Sequence, residues 1–322
     1  MKKLASAAVM VLGVSTGAGW AADLAVKAPP APVAAPTPEW DLAFGGAVGT
    51  DYNFRGITQS DHRPYVGVYS ELRYNPTWLP NVQLYYGSGG ESIDFPNHAA
   101  AEVDFYGGFR PTFGALALDF GNWYYYYPGG QGFGNEAGAV AAALPNGNVV
   151  KSKLSFDEWY AKATYTFNDY VALTGDVFYD PNWLNSGAYG TYASGILKLT
   201  APSSWTPTGI GASISGELGH YWFGTSDAFY GVPLFPAGVK YPEYTHWNVG
   251  LDFTWKVFTL DLRYYDTDLT KANCNILTSD HTASFNAASV TSTNPGGLAS
   301  NWCGASFIAK LSADLTVNTN LK

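Results

Sequence analysis

The stretch from residue 40 to residue 55, WDLAFGGAVGTDYNFR, alternates between two kinds of side chain and decides the fold class. Its even-numbered positions hold Trp, Leu, Phe, Gly, Val, Thr, Tyr and Phe. Its odd-numbered positions include two aspartates, an asparagine and an arginine. A β-strand points successive side chains to opposite faces, so this stretch predicts a strand with one apolar and one polar face.

The same alternation recurs along the chain, with turn residues between the stretches. We predict strands at about 40–55, 65–75, 81–87, 100–110, 114–126, 156–167, 170–180, 190–199, 209–222, 243–255, 258–267 and 304–315. The connections between them alternate between short and long, which is typical of a membrane barrel with short periplasmic turns and long extracellular loops. The sequence therefore predicts an all-β fold, a closed antiparallel transmembrane β-barrel of about twelve strands, over residues 39–322.

Charge is the second signal for a barrel in lipid. Charged residues make up 13% of the chain. About eight should therefore fall among the roughly 60 positions that we assign to the outward face, and in our assignment none does. Aromatic residues cluster at both strand ends, with Tyr52 and Phe54 on the long-loop side, as in the interfacial girdles of membrane barrels. We expect the outer face to contact lipid.

The N-terminus predicts export from the cytoplasm. Two lysines, an apolar stretch of small residues and the triplet GWA at 19–21 form a secretory signal, which we assign to residues 1–21. The Ala- and Pro-rich residues 22–38 predict an extended periplasmic leader. We expect the protein in the outer membrane of a Gram-negative bacterium, delivered there by periplasmic chaperones and the barrel-assembly machinery.

The two cysteines predict a single disulfide bond. Cys274 and Cys303 are the only pair in the chain, and an exported chain reaches an oxidising compartment. The bond would close a loop of about thirty residues, worth about 3–4 kcal/mol on the chain-entropy model. Of the histidines only His281 lies near them in sequence, which disfavours a zinc site, so we expect no cofactor and no metal.

The net charge of −9 excludes one class of partner. Nucleic-acid binding requires a basic surface, so we expect no nucleic acid. The partners we expect are outer-membrane lipid and small solutes or ions, and the sequence leaves self-association open.

The inward face predicts the lining of the lumen. Its acids are Asp41, Asp51, Glu71, Glu102, Asp104, Asp119, Glu158, Asp176, Glu217, Asp252, Asp261 and Asp314, and its bases are Arg55, Arg73, Arg110, Lys162, Lys198, Arg263 and Lys310. This excess of acids should favour cations. The residues that we predict to line the pore and set its field are Asp51, Arg55, Glu71, Arg73, Glu102, Asp104, Arg110, Asp119, Glu217, Asp252, Asp261 and Arg263. The same charges can instead pair with one another and hold the barrel closed. The loop 128–151 is long enough to fold into the bore or to stay at the surface.

A run of motifs resembles one known family. GTDYNFRGITQS at 49–60 is similar to the strand-and-turn opening of the TorF family of porin-like proteins. EVDFYG at 102–107, DFG at 119–121, YYYYPG at 124–129, FDEWY at 156–160, DPNW at 180–183, GELG at 216–219 and YTHW at 244–247 follow in the same order. The resemblance covers about residues 40–270 and implies an outer-membrane barrel that acts as a passive channel. The chain ends TVNTNLK, without the terminal aromatic residue usual in such barrels, which leaves the register of the last strand open.

Together these features predict a porin-like channel for passive diffusion of ions or small solutes that favours cations, and not an enzyme. A non-conducting structural or adhesive barrel is the main alternative. An outer-membrane hydrolase would need Ser beside His near the outer rim, and the outward His220 has only Thr245 as a nearby hydroxyl on the next strand. A soluble secreted β-sandwich would keep polar residues on its exposed face.

Overall fold

The computed structural model describes residues 38–321 and shows a closed barrel of twelve antiparallel strands. The strands are β1 (Trp40–Gly49), β2 (Tyr65–Tyr74), β3 (Val82–Glu91), β4 (Glu102–Phe113), β5 (Leu116–Tyr126), β6 (Phe156–Asn168), β7 (Val171–Asp180), β8 (Gly190–Thr200), β9 (Ile210–Phe223), β10 (Tyr244–Trp255), β11 (Phe258–Thr267) and β12 (Ser306–Thr316). Each pairs with its neighbours in sequence, and β1 pairs with β12 to close the sheet. The predicted fold class and strand number are confirmed. The predicted signal peptide (1–21) lies outside the described residues, as does the leader (22–38) apart from Pro38.

Little regular structure lies outside the barrel in the described residues. An α-helix, α1 (Lys271–Thr278), lies in the loop after β11, and α2 (Val317–Asn320) follows β12. Asn53–Phe54 pairs with Ile57–Thr58, and Ser284–Phe285 pairs with Leu298–Ala299. Single 3₁₀ turns occupy Trp183–Asn185, Ala228–Tyr230 and Ala287–Ser289. Between residues 38 and 321, no helix has the length and apolar character to span a membrane.

Strand β2 shows how the sequence produces two different faces. Burial alternates along it from Tyr65 to Leu72. Tyr69 and Glu71 are buried inside the barrel, whereas Val66 and Val68 are more than half exposed on the outside. An exposed face made of valine and leucine is expected where hydrocarbon replaces water as the surrounding medium.

The prediction that no outward strand position is charged is wrong at two residues. Asp157 and Asp266 point outward, because their sequence neighbours Glu158 and Thr267 are buried in the lumen. Both lie near the long-loop ends of their strands. Asp157 accepts a hydrogen bond from Asn122, and Asp266 accepts one from the hydroxyl of Tyr264. A charge near the membrane interface costs far less than one at the midplane, so the middle of the outer wall stays free of charge.

The connections alternate in length as predicted. The turns at 75–81, 114–115, 169–170, 201–209 and 256–257 lie at one end of the barrel, and the loops at 50–64, 92–101, 127–155, 181–189, 224–243 and 268–305 lie at the other. We call these the turn side and the loop side. The last strand is in register with both neighbours, with Phe44 opposite Leu315 and Leu260 opposite Leu311. Helix α2 then continues the chain beside β1, where Asn318 donates its backbone N–H to Asp41.

Candidate functional site

The lumen is the candidate site, and its two halves differ in character. On the loop side it is filled by large aromatic side chains that solvent scarcely reaches, namely Tyr125, Tyr192, Tyr221, Phe223 and Tyr244. On the turn side it is lined by charged side chains, several of which are partly exposed. We call this turn-side half the vestibule. Its wall includes Arg110, Asp119, Asp252 and Lys310, which are all intermediate in burial.

A short hairpin fills the loop-side half. Strand β1 ends at Gly49, and the chain then turns into the barrel, where Asn53–Phe54 pairs with Ile57–Thr58. We call residues 51–60 the lumen hairpin. Its two central residues, Arg55 and Gly56, have φ angles of 50° and 86°, the combination found in tight two-residue hairpin turns. A Cβ atom on Gly56 would lie 2.4 Å from the Cγ2 atom of Thr267, so the turn and the close approach to the wall both require glycine.

The hairpin corrects the prediction of a strand over 40–55. Asp51 and Arg55 were expected on the barrel wall, and they lie instead on a loop folded inside it. Tyr52 and Phe54 were expected in the outer aromatic girdle. Tyr52 is instead buried, with its hydroxyl donating to Glu102 at 2.5 Å, and the ring of Phe54 packs edge-on against Tyr125. The alternating sequence continues past Gly49, and alternation alone cannot show that both faces become buried.

Arg55 forms the central contact of the hairpin. Its Nη1 and Nη2 atoms donate to Glu158 Oε1 and Oε2 on β6 at 2.6 and 2.9 Å, a two-pronged ion pair. Both side chains are only 1% exposed. The guanidinium also lies 4.1 Å from the ring centre of Tyr192 and 4.6 Å from that of Phe178, within the range of cation–π attraction. The ion pair therefore spans the lumen and is shielded from solvent.

Other strands complete the environment of this ion pair. The hydroxyls of Tyr125 on β5 and Tyr221 on β9 donate to Glu158 at 3.1 and 3.2 Å. The hydroxyl of Tyr244 on β10 donates to the carbonyl oxygen of Arg55 at 3.0 Å. Several strands of the wall thus contact the hairpin and its ion pair, and Glu158 accepts hydrogen bonds from both Tyr125 and Tyr221 in addition to Arg55. The sequence placed Glu158 in the lumen without indicating this partner.

The hairpin is also held from the loop side. Asp51 accepts hydrogen bonds from Thr58 and Ser60 and contacts His62 Nδ1 at 2.9 Å. The hydrogen bond to Asp51 is the largest influence that raises the pKa of His62, to about 9. His62 Nε2 lies 2.9 Å from the carbonyl oxygen of Asn301. This pair therefore ties the hairpin to the loop 268–305.

The predicted disulfide is present in that same loop. Cys274 on α1 and Cys303 are bonded, with 29 residues of sequence separation. The segment next to Cys303 lies against the hairpin, where the backbone N–H of Thr58 donates to the carbonyl of Trp302 at 2.9 Å. The indole N–H of Trp302 donates to Asp61 at 2.8 Å. The disulfide therefore lies in the segment that holds the hairpin in the lumen.

The loop 128–151, whose position the sequence left open, packs among the other long loops. The backbone N–H of Gln131 donates to the carbonyl of Asn97. Lys151 pairs with Asp227 at 2.5 Å, and Asn148 donates to Asn275 at 2.8 Å. The loop is part of a cap over the loop-side mouth, and its buried Phe133, Leu144 and Val150 join the hydrophobic cluster that includes Tyr125.

The predicted charges of the vestibule pair with one another. Glu71 contacts Arg73 at 2.5 Å and Arg110 at 2.8 Å, and Arg110 also contacts Asp119 at 3.1 Å. A second group joins Arg263 to Asp252 and Asp261, and Lys310 Nζ lies 3.9 Å from Asp261. The structure thus brings these predicted lining residues together in the lumen, where they form ion pairs both within a strand and between strands.

Two further predicted lining groups lie in the loop-side half. Glu217 accepts hydrogen bonds from Tyr192 and Asn248, each at 2.6 Å. Glu102 and Asp104 are buried next to Glu91, and one carboxylate oxygen from each of the three lies within 4.8 Å of the others. Sequence reasoning missed Glu91 because the third strand was predicted to end at 87. The strand in fact continues through GSGGE, and Glu91 pairs directly with Glu102.

Comparisons with known proteins leave the activity open. A model of a bacterial protein family of unknown function, Gcw_chp, matches residues 33–149, which is less than half of the chain. No curated protein matches the sequence. The match does not name the TorF family, so that resemblance remains a prediction.

Solved structures of similar fold share little sequence with this chain. The COG4313 outer membrane channel from Pseudomonas putida F1 is 11% identical, with 90% of this chain and 100% of that chain covered and a TM-score of 0.41. The NanC porin is 9% identical, with 85% and 100% covered and a TM-score of 0.39. OmpTdeltaL8, an outer membrane protein of Vibrio cholerae, is 9% identical, with 86% and 98% covered and a TM-score of 0.36.

Proposed function

We propose that the protein is a porin-like channel of the Gram-negative outer membrane, closed at rest by the lumen hairpin, that passes ions or small solutes when the hairpin leaves the bore. The observation that carries the proposal is a charged lumen, inside an apolar wall, into which one loop segment folds and where it is held by a buried ion pair. In this proposal the protein performs no catalysis, its exterior contacts outer-membrane lipid, and the barrel-assembly machinery inserts it.

The outer wall supports the membrane location. Large apolar side chains project from the outer face of the barrel, and Val68, Leu218 and Phe307 are each more than 60% exposed. A protein in water rarely exposes a continuous apolar surface of this kind. Trp40, Tyr74, Trp255 and Phe258 lie toward the turn side, where aromatic rings favour the membrane interface.

The chemistry of the hairpin supports a movable plug. A buried ion pair adds little net stability compared with apolar residues of similar volume, because both charges lose their hydration. Arg55 and Glu158 are such a pair, and Arg55 lies on a loop while Glu158 lies on the wall. Charged and polar contacts can be exchanged for water when the hairpin moves. An apolar contact of similar volume would stabilise a permanent plug more than this ion pair does.

The distribution of charge supports a preference for cations. The vestibule charges largely pair, so the excess of acids lies in the loop-side half. In that half Glu102, Asp104, Glu158 and Glu217 lie on the wall, and Asp51 and Arg55 lie on the hairpin. Release of the hairpin removes Asp51 and Arg55 from the bore and leaves the four wall carboxylates, which attract cations.

Planar-bilayer recording tests the proposal. The full-length protein is compared with a variant in which Asn53–Thr58 is replaced by a glycine–serine linker of equal length. We expect brief, rare openings for the wild type, long openings for the variant, and a reversal potential in a KCl gradient that shows cation preference. Absence of current from both proteins would contradict the channel and favour a non-conducting structural or adhesive barrel. Anion preference would contradict the role of the carboxylates.

A further inference from the structure

Three buried carboxylates lie together where the hairpin meets the wall. Glu91 at the end of β3 is directly opposite Glu102 on β4, and Asp104 lies two residues further along the same inward face. All three are buried, at most 3% exposed, and each contributes an oxygen atom within 4.8 Å of the others. Like charges directly opposite each other in an antiparallel pair destabilise a sheet, and burial makes the repulsion stronger.

The contacts of Asp104 point to a missing ligand. Its Oδ1 atom is buried and has no hydrogen-bond partner among the described residues. Within residues 38–321, neither Glu102 nor Asp104 forms an ion pair with a Lys, Arg or His side chain. Buried polar atoms are almost always partnered, so an orphaned carboxylate oxygen beside two other carboxylates indicates a bound cation.

Glu102 is oriented as the carboxylate ligands of metal ions usually are. The hydroxyl of Tyr52 donates to its Oε1 atom, and the hydroxyl of Tyr127 donates to its Oε2 atom at 2.7 Å. Such outer contacts fix the direction of a ligand. Tyr52 belongs to the lumen hairpin and Tyr127 to the loop after β5, so the cluster joins the wall, the plug and the cap.

We propose that Glu91, Glu102 and Asp104 bind one hard divalent cation, Ca²⁺ in preference to transition metals. The donor set is all oxygen, without histidine or cysteine in the cluster, which disfavours zinc and copper. Carboxylates bind Ca²⁺ through one or both oxygens and adapt to its flexible coordination, and water supplies the remaining ligands. The site does not depend on whether the barrel conducts. If it does conduct, the ion stabilises the docked hairpin through Tyr52.

Terbium binding tests the site directly. Tb³⁺ takes the place of Ca²⁺ in oxygen sites and emits when tyrosine or tryptophan within a few ångströms is excited, and Tyr52 and Tyr127 contact Glu102. The full-length protein, stripped with EDTA and kept in detergent, is titrated with Tb³⁺ and then with Ca²⁺. We expect sensitised emission that saturates at one ion per chain and is displaced by Ca²⁺. The Asp104→Asn variant should bind at least tenfold more weakly.

The control variant is Asp252→Asn, which removes a lumen carboxylate of the vestibule and should leave the titration unchanged. Thermal unfolding gives a second readout. Ca²⁺ should raise the midpoint of the wild type by several degrees, and Asp104→Asn should lose this rise while being more stable than the wild type in EDTA, since it relieves the repulsion. Absence of stoichiometric Tb³⁺ emission from folded protein, or equal weakening by both variants, would overturn the proposal.

Discussion

Replacing Arg55 with alanine should unlock the hairpin and leave the barrel wall intact. The change removes a guanidinium that makes two hydrogen bonds to Glu158 and faces four aromatic rings, whose centres lie 4.1–5.0 Å from its central carbon. Glu158 would keep only the hydrogen bonds from Tyr125 and Tyr221. Removing one partner of a buried ion pair costs about 3–5 kcal/mol, because the remaining charge is left buried without compensation.

That free energy sets the size of the expected effect. The docked hairpin of the variant loses this free energy. The released hairpin does not, because water already surrounds residue 55 and Glu158 in that state. A change of about 3–5 kcal/mol shifts the ratio of docked to released hairpin by roughly 10²- to 10⁴-fold. Single-channel recording should show this as a large increase in the fraction of time spent open. Arg55→Lys should fall between the wild type and Arg55→Ala, because lysine keeps a positive charge beside Glu158 but cannot reproduce the two-pronged contact.

The same loop supplies a matched control. Arg63 pairs with Asp61 at 3.0 Å and with Asp94 at 2.7 Å, but its side chain is 64% exposed. Exposed pairs contribute about 0–1 kcal/mol, so Arg63→Ala should change the open fraction by less than about tenfold. The double variant with Glu158→Gln should keep the hairpin docked better than Arg55→Ala alone, because no charge is then left buried. An open fraction in Arg55→Ala equal to that of the wild type or of Arg63→Ala would refute the reasoning.

Three further predictions concern the cap and the wall. The raised pKa of His62, about 9, means that its charged form stabilises the fold fully below pH 6.5. This contribution is lost as the pH rises through 9. The unfolding midpoint of the wild type should therefore fall more steeply over pH 6.5–9 than that of His62→Gln, and parallel slopes would contradict the anchor. Replacing Cys274 and Cys303 with serine should lower the stability of the loop 268–305 by about 3–4 kcal/mol, and unchanged resistance to limited proteolysis would count against this. Leu251→Arg, at an exposed outward position within β10, should cost about 2–4 kcal/mol in urea titrations of folding into lipid vesicles, whereas a water-facing wall would tolerate it.

The wall of this protein was predictable because its two faces meet different media. Alternation of period two located all twelve barrel strands, and the alternating connection lengths gave the orientation of turns and loops. The outward Asp157 and Asp266 were missed because both lie near strand ends. There a charge costs little free energy, and the alternation of apolar and polar residues is less strict. Glu91 was missed because glycines interrupt the pattern before it.

The lumen hairpin was not predictable from periodicity. Residues 50–55 alternate as the preceding strand does, and the departure from the wall depends on partners far away in sequence, above all Glu158. Gly56 is a possible turn residue, but the alternating pattern around it favours a continued strand. The tight turn at Arg55 and Gly56 is visible only in the structure, from the positive φ angles of both residues. The motifs at 49–60 and 156–160 are about a hundred residues apart in sequence, and the structure joins them through this ion pair.

The hairpin also has a consequence for how the cylinder closes. Strand β1 precedes the hairpin and pairs with β12 where the barrel closes. The main contact of the hairpin, between Arg55 and Glu158, lies on β6, half-way round the circumference. Two additional tilted strands would widen the interior by about 4 Å, which a contact of 2.6 Å between Arg55 and Glu158 does not tolerate. The contact between residues 51–60 and β6 therefore stabilises a barrel that closes with twelve strands over one that closes with fourteen.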